Sequence, residues 1–86
     1  MSKDYPEIGR LAAAMKYVLE GKEESKISWK DETVTTDYLF QELELQNAKL
    51  ILARYDCHPQ FQREEIKKRL IHMANYIMML YDKYSK

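Results

Sequence analysis

The chain has 86 residues, of which 45% are hydrophobic and 33% are charged, and its 14 basic residues balance its 14 acidic residues. This composition excludes a disordered chain, and the zero formal net charge argues against general nucleic-acid binding, which is typical of basic domains. The length predicts a single domain spanning 1–86, with either a small core or an oligomer that completes it.

The cysteine and apolar content predict the cellular setting. Cys57 is the single cysteine, so an intrachain disulfide is excluded, and His58 beside it cannot complete a zinc site without further ligands. We expect Cys57 to be a free thiol in a loop. The opening residues MSKDYPEIGR lack the apolar stretch of a signal peptide, and no apolar run reaches membrane-spanning length. A reducing, cytoplasmic location is therefore the expected one.

The first predicted element is a helix in YPEIGRLAAAMKYVLEGK (5–22), with Asp4 as its candidate cap and Gly21 as its stop signal. Its apolar side chains recur at helical spacing: Ile8, Leu11, Ala12, Met15, Val18 and Leu19. Residues 22–34 break this period and predict a polar connection that carries Trp29. The Trp29 side chain has two possible roles: it anchors the connection on the core, or it provides a stacking surface for a base or sugar.

Two longer helices follow the connection. The second covers about 36–55 after a cap at Thr35 or Thr36, and the third covers about 62–84, because Pro59 stops continuation of the second. The apolar residues of the second helix are Leu39, Leu43, Leu50 and Ala53, with Leu45, Ala48 and Leu52 beside them. Those of the third are Ile66, Leu70, Met73, Ala74, Ile77, Leu80, Tyr81 and Tyr84. The short turn predicts an antiparallel hairpin that is apolar on more sides than one chain can cover.

The hairpin is expected to bring polar side chains together across an apolar surrounding. Counting outward from the turn predicts three facing pairs: Lys49 and Arg69, Gln46 and His72, and Glu42 and Tyr76. On each helix the polar residues are three apart, which places them on one helical face. We call Gln46, Lys49, Arg69 and His72 the polar row, and we regard it as the candidate functional site.

Three stretches of the chain, RLIHMANYIMML, LELQNAKLILA and SWKDETVTTDYL, together carry a family resemblance. The first is similar to E-L-x-D-V-A-N-F-A-M-M-L and the second to L-x-x-E-x-x-E-L-x-x-A, both from MazG-like nucleotide pyrophosphohydrolases, and residues from about 28 to 84 resemble small phage-type members. Another register would place the first acidic motif on Glu42 and Leu45. The resemblance implies an all-α fold, with an N-terminal helix and a long antiparallel hairpin, assembled as a homo-oligomeric bundle that is a dimer or a tetramer.

The chain departs from this family at each expected metal-binding position. The resemblance implies four carboxylates that hold magnesium for cleavage of nucleoside triphosphates, but Gln46, Lys49, Arg69 and His72 stand in their places, while Asn75 keeps the family identity. Magnesium prefers carboxylate oxygens, whereas this row carries two cations. We therefore expect no metal, no cofactor and no pyrophosphohydrolase activity.

A positively charged row favours binding of the phosphate groups that magnesium would otherwise accompany. Arginine forks onto phosphate, lysine adds a point charge, and a neighbouring aromatic ring stacks on a base. The expected ligand-binding residues are Gln46, Lys49, Arg69, His72, Asn75, Tyr76, Trp29, Lys30 and Lys26. The first hypothesis is a protein that binds a small nucleotide without cleaving it. A phage would use it in the host cytoplasm as an anti-defence sponge that sequesters a cyclic or modified nucleotide signal.

Two other interpretations stay open. Glu65 precedes Arg69 by four residues and Glu42 precedes Gln46 by four, so these acids would neutralise the row and leave a structural network. The chain would then be a protein-interaction module or inhibitor built on a decayed MazG-like scaffold. A true pyrophosphohydrolase would need metal ligands without the family spacing, from Glu42, Glu44, Glu64 or Glu65.

Overall fold

The computed structural model describes residues 5–22, 33–56 and 58–85. Several expectations fall outside these ranges: the cap at Asp4, the thiol of Cys57, and the roles given to Lys26, Trp29 and Lys30. Within the described ranges every regular element is an α-helix and no strand occurs, so the all-α prediction is confirmed. None of the helices described is long and apolar enough to cross a membrane.

The three helices follow the predicted chain order. Helix α1 spans Pro6–Lys22, α2 spans Thr36–Ala53 and α3 spans Pro59–Tyr84. Of the two threonines considered as the cap of α2, Thr35 holds that position, because its hydroxyl oxygen accepts the backbone N–H of Tyr38 at 3.1 Å. This hydrogen bond satisfies one of the amide donors that the first turn of a helix leaves unpaired.

The turn between α2 and α3 differs from the prediction at both ends. Helix α3 begins at Pro59 rather than near Gln62, since proline suits the first helical position, where the missing N–H has no partner to lose. Helix α2 ends at Ala53 rather than near Tyr55. The side chain of Gln62 donates from Nε2 to the carbonyl oxygen of Arg54 at 2.8 Å, which satisfies a carbonyl at the end of α2.

Helices α2 and α3 form the antiparallel hairpin that the short turn predicts. Moving away from the turn, contacts join Arg54 to Gln62, Gln46 to Arg69, Glu42 to Tyr76 and Phe40 to Tyr84. The residue number falls along α2 as it rises along α3, which is the order of an antiparallel pair. The predicted juxtaposition of Glu42 and Tyr76 is confirmed, with the Tyr76 hydroxyl 3.5 Å from Glu42 Oε1.

The buried core of the described residues is small. Its apolar members are Leu39, Ala53, Met79 and Leu80, and Leu19 of α1 packs against the cluster that three of them form. Part of the predicted apolar face of α3 lies outside this core: Leu70, Ile77, Tyr81 and Tyr84 are exposed. The reason is geometric, since α2 and α1 cover two sides of α3 and the apolar surface extends beyond both.

Candidate functional site

Arg69 is the centre of the polar row and is held by two partners. Its Nε donates to Glu65 Oε2 at 2.7 Å, and Nη2 forms an ion pair with the same oxygen. Its Nη1 donates to Gln46 Oε1 at 3.0 Å across the hairpin. The side chain of Arg69 is 13% exposed, so the guanidinium is clamped between its own helix and α2.

Gln46 is a buried polar residue whose position depends on this contact. It is 7% exposed and lies between Leu39 and Ala53 on the face of α2 that packs against α3. A buried amide oxygen that loses its hydrogen bond costs free energy, because it has given up water without a replacement. Arg69 supplies that hydrogen bond, so the pair is a structural element of the hairpin as well as a candidate binding group.

Tyr76 and Glu42 form a second polar contact further from the connection between the two helices, one helical turn along α2 from Gln46 and two turns along α3 from Arg69. The pKa of the Tyr76 hydroxyl is raised above its ordinary value, first by burial and then by the negative charge of Glu42 and by Tyr38. The hydroxyl is thus neutral at physiological pH and donates its proton toward the carboxylate. Both acids expected to oppose the row are therefore engaged, Glu65 with Arg69 and Glu42 with Tyr76 instead of Gln46.

The other two members of the polar row lie nearer to solvent. Lys49 follows Gln46 by one turn of α2, is exposed, and forms no ion pair with any other residue that the structure describes. His72 follows Arg69 by one turn of α3 and is half-buried. Arg69 binds Gln46 diagonally across the hairpin, and Gln46 lies one turn of α2 away from Lys49, the residue predicted to face Arg69.

Asn75 is turned toward α1 rather than toward α2. It is 3% exposed, and its Nδ2 donates to the carbonyl oxygen of Met15 at 3.5 Å, while its Oδ1 has no hydrogen-bond partner among the residues that the structure describes. This position fastens α1 to α3 through a long hydrogen bond and leaves one buried acceptor unpaired. Asn75 therefore belongs to the contact between α1 and α3, separate from the Gln46–Arg69 contact.

The electrostatic result is a balanced cluster. Counting Glu42 and Glu65 together with Lys49 and Arg69, the formal charges cancel, whereas the row alone carries two positive charges. Among residues 5–22, 33–56 and 58–85, no three His, Cys, Asp or Glu side chains come together as a metal site would require. In the part of the chain that is described, the polar row together with its neighbouring acids thus has no formal net charge, and no carboxylate cluster suited to a metal is formed.

Two exposed apolar surfaces are the largest feature that the sequence assignment of sites left out. The α3 face consists of Leu70, Ile77, Tyr81 and Tyr84 of α3 together with Phe40 of α2. The α2 seam consists of Tyr38, Gln41, Leu45, Ala48, Leu52 and Tyr55, of which Gln41 is the one polar member. The alternating spacing of three and four residues along the α2 seam is visible in the sequence, and so are the intervals of seven, four and three residues from Leu70 through Ile77 and Tyr81 to Tyr84. The side chains of these two sets could not be assigned to a buried or an exposed side without knowing which face of each helix contacts its neighbour.

Comparison with models of known protein families, with curated proteins and with solved structures finds no match for this chain. Over the described residues, the fold and the site therefore define the protein by architecture alone: three α-helices of which two form a long hairpin, a polar row whose formal charge is cancelled by neighbouring acids, and the two exposed apolar surfaces. Function has to be inferred from that chemistry, since a fold does not specify one.

Proposed function

We propose that the chain is a non-catalytic protein-interaction module whose α3 face binds an amphipathic helix of another protein. The observation that carries this proposal is the exposure of that face. Its five side chains, Phe40, Leu70, Ile77, Tyr81 and Tyr84, are between 41% and 75% exposed, while the described core holds four buried apolar residues. A small soluble domain that leaves so much contiguous apolar surface uncovered is typical of a protein that binds another protein there.

The size and composition of the α3 face support a protein partner. At about 200 Å² for a fully exposed large side chain, its exposed area is about 500 Å², near the upper end for the largest apolar patch of a monomer. The ring of Phe40 lies 6.4 Å from that of Tyr84, so the face is continuous across the hairpin at its open end. Aromatic side chains of this kind dominate binding energy in protein interfaces, and a helix laid along α3 would meet them at successive turns.

The neutralised polar row supports a structural role for Arg69. Phosphate recognition by arginine requires its N–H groups to be free to fork onto the anion. Here Glu65 already occupies that edge of the guanidinium, and Gln46 accepts from a third N–H group. An incoming phosphate would have to displace a carboxylate four residues away on the same helix, which opposes binding through like charge.

The scaffold that we propose is a decayed MazG-like one, assembled as a homo-oligomer in the cytoplasm. Its support is the three-motif resemblance, together with the long antiparallel hairpin on which two of those motifs lie. The absence of catalysis is inferred from the residues themselves, since Gln46, Lys49, Arg69 and His72 cannot replace four carboxylates around magnesium. The uncovered apolar surfaces supply the material for an oligomer.

A second candidate is nucleotide binding without turnover, including the sponge function of a phage. One observation favours it: Lys49 is an exposed cation without an ion pair among the described residues, one turn from the Arg69–Gln46 contact. In that case Lys49 would bind phosphate from outside the network, with Lys26, Lys30 and Trp29 contributing from the preceding segment. This candidate predicts that replacing Lys49 abolishes binding of a nucleotide.

The test of the proposed function compares three immobilised proteins in lysate from the source cell: the wild type, Ile77→Glu on the α3 face, and Gln60→Glu as an exposed control on the same helix. The proposal predicts a captured protein that wild type and Gln60→Glu retain and Ile77→Glu loses, with an unchanged helical circular-dichroism signal. The interaction must then be reproduced with purified partner. Equal capture by all three proteins would contradict the proposal. The second candidate function is tested by calorimetry with nucleotides, in which it predicts binding to the wild type and none to Lys49→Ala.

A further inference from the structure

The α2 seam has the residue spacing of a helix in a coiled coil. Its members follow one another at alternating intervals of three and four residues, and they are Tyr38, Gln41, Leu45, Ala48, Leu52 and Tyr55. The four large apolar members are between 45% and 79% exposed. They lie on the side of α2 away from the residues that pack on α3, which are Leu39, Gln46 and Ala53. The described part of the chain leaves this stripe without a neighbouring helix.

The seam is complementary to itself when one copy is reversed. Reversal about the point between Gln46 and Asn47 places Leu45 beside the small Ala48 of the second copy, and it places Gln41 beside Leu52 and Tyr38 beside Tyr55. A large side chain facing a small one at the centre suits two closely packed helices. We propose that two copies of this chain pair through their α2 seams, antiparallel, about a two-fold axis at this point.

The charges that flank the seam favour the same arrangement. Glu42 and Lys49 each follow a central seam position by one residue, so in an antiparallel pair Glu42 of one copy faces Lys49 of the other, twice per dimer. Lys49 is exposed without an ion pair in the described ranges, and Glu42 directs Oε1 at Tyr76, which leaves its second oxygen for an intermolecular contact. A parallel pair would instead place Asp37 beside Glu42 of the second copy, which is repulsive, and Glu44 beside Lys49, which is attractive, so its flanking charges cancel whereas both antiparallel contacts are attractive.

The area available is that of a reversible dimer. At about 200 Å² for each fully exposed large side chain, the seam offers about 500 Å² per copy and about 1,000 Å² for the pair, the lower limit of a specific interface. The dimer is therefore expected to dissociate on dilution. This inference deepens the homo-oligomer part of the proposed function by naming its interface, and it is independent of partner binding, because the α2 seam and the α3 face share no residue and a dimer through one leaves the other uncovered.

The first experiment is a charge exchange measured by sedimentation velocity over a range of protein concentrations. Lys49→Glu places like charges at both intermolecular contacts and should weaken dimerisation by about tenfold, and so should Glu42→Lys. The double variant Glu42→Lys with Lys49→Glu restores both pairs and should return the dissociation constant to within about threefold of wild type. Failure of the double variant to recover, or a wild type that is monomeric at about 100 micromolar, would overturn the proposal.

The second experiment fixes the direction of the pair. In a Cys57→Ser background, the variants Leu45→Cys and Ala48→Cys are oxidised separately and as a mixture. The antiparallel arrangement predicts a disulfide-linked dimer in the mixture and almost none in either variant alone. Crosslinking of each variant with itself would indicate a parallel pair and overturn the proposal, and so would no crosslinking in the mixture. Nucleotide binding through Lys49 would give neither the crosslink nor the recovery of the charge-exchanged double variant.

Discussion

Removing the charge from Arg69 gives the clearest quantitative test of the polar row. In Arg69→Met the long apolar stem is retained while the guanidinium is lost. Gln46, 7% exposed, then has a buried amide oxygen without a donor, at a cost of about 1–3 kcal/mol. Loss of the partly exposed ion pair with Glu65 adds about 0.5 kcal/mol. The expected total is about 1.5–3.5 kcal/mol, a large fraction of the stability of a chain this small.

Gln46→Met alone leaves Nη1 of Arg69 without its acceptor, and because that guanidinium retains Glu65 the expected cost is about 1 kcal/mol. In the double variant no buried amide remains unpaired, so the loss should be well below the sum of the two single losses. The coupling free energy between the two positions is expected to be about 1–2 kcal/mol. Lys68→Met, at an exposed position beside Arg69, is the control and should change stability by less than about 0.5 kcal/mol.

The assay is urea unfolding followed by circular dichroism at one fixed protein concentration, since association also stabilises the folded state. Arg69→Met should lower the unfolding midpoint by about 1–2 M urea. Strictly additive effects of Arg69→Met and Gln46→Met, or a loss for Arg69→Met no larger than that of Lys68→Met, would show that the clamp does not stabilise the hairpin.

Three further predictions concern single contacts. Thr35→Ala removes the cap of α2 and should cost about 1 kcal/mol in the same urea assay, whereas Thr35→Ser keeps the hydroxyl and should cost a few tenths; equal losses would contradict the capping role. Asn75→Leu keeps the branched shape in a larger apolar side chain and removes both the buried acceptor that has no partner among the described residues and the long hydrogen bond to Met15. These effects oppose each other, so stability should change by less than about 1 kcal/mol, and a larger loss would reveal a partner for Oδ1. The pKa of the Tyr76 hydroxyl is higher in the folded protein than in the unfolded chain, where it is near 10, so folding favours the neutral form. The resulting contribution to the free energy of unfolding is complete below pH 10 and is lost as the pH rises through the higher pKa of the folded state. Stability should thus fall more steeply above about pH 10 in wild type than in Tyr76→Phe, and parallel curves would refute this.

The helices could be predicted because their signals are local. Apolar periodicity, the threonine before α2 and the short turn define three helices and a hairpin without any knowledge of packing. Pro59 shows the limit of such reasoning. The same residue that stops one helix is well suited to begin the next, and only the positions of its neighbours decide where α3 begins.

The candidate site could be predicted only in part, because the availability of its charged groups to a ligand depends on which side chains they bind within the protein. The sequence predicted that Glu65 lies one turn from Arg69 and that Glu42 faces Tyr76, and both contacts occur. It did not predict that the Arg69 guanidinium would bind Gln46 and Glu65 at once, which depends on the diagonal reach of a long side chain across the hairpin. The exposure of Ile77 and Leu52 likewise depends on the placement of the neighbouring helices.

A structural role for the polar row requires that Arg69 be engaged inside the protein rather than available to a ligand. The Nε–Hε signal of Arg69, assigned by its loss in Arg69→Lys, reports this state in a nitrogen–proton NMR spectrum. We predict a signal that exchanges slowly with water, shifts in Glu65→Gln, and stays in place when pyrophosphate, nucleoside triphosphate or cyclic dinucleotide is added up to about 1 mM. A signal that moves at micromolar nucleotide would contradict this internal engagement of Arg69 and establish the polar row as a binding site.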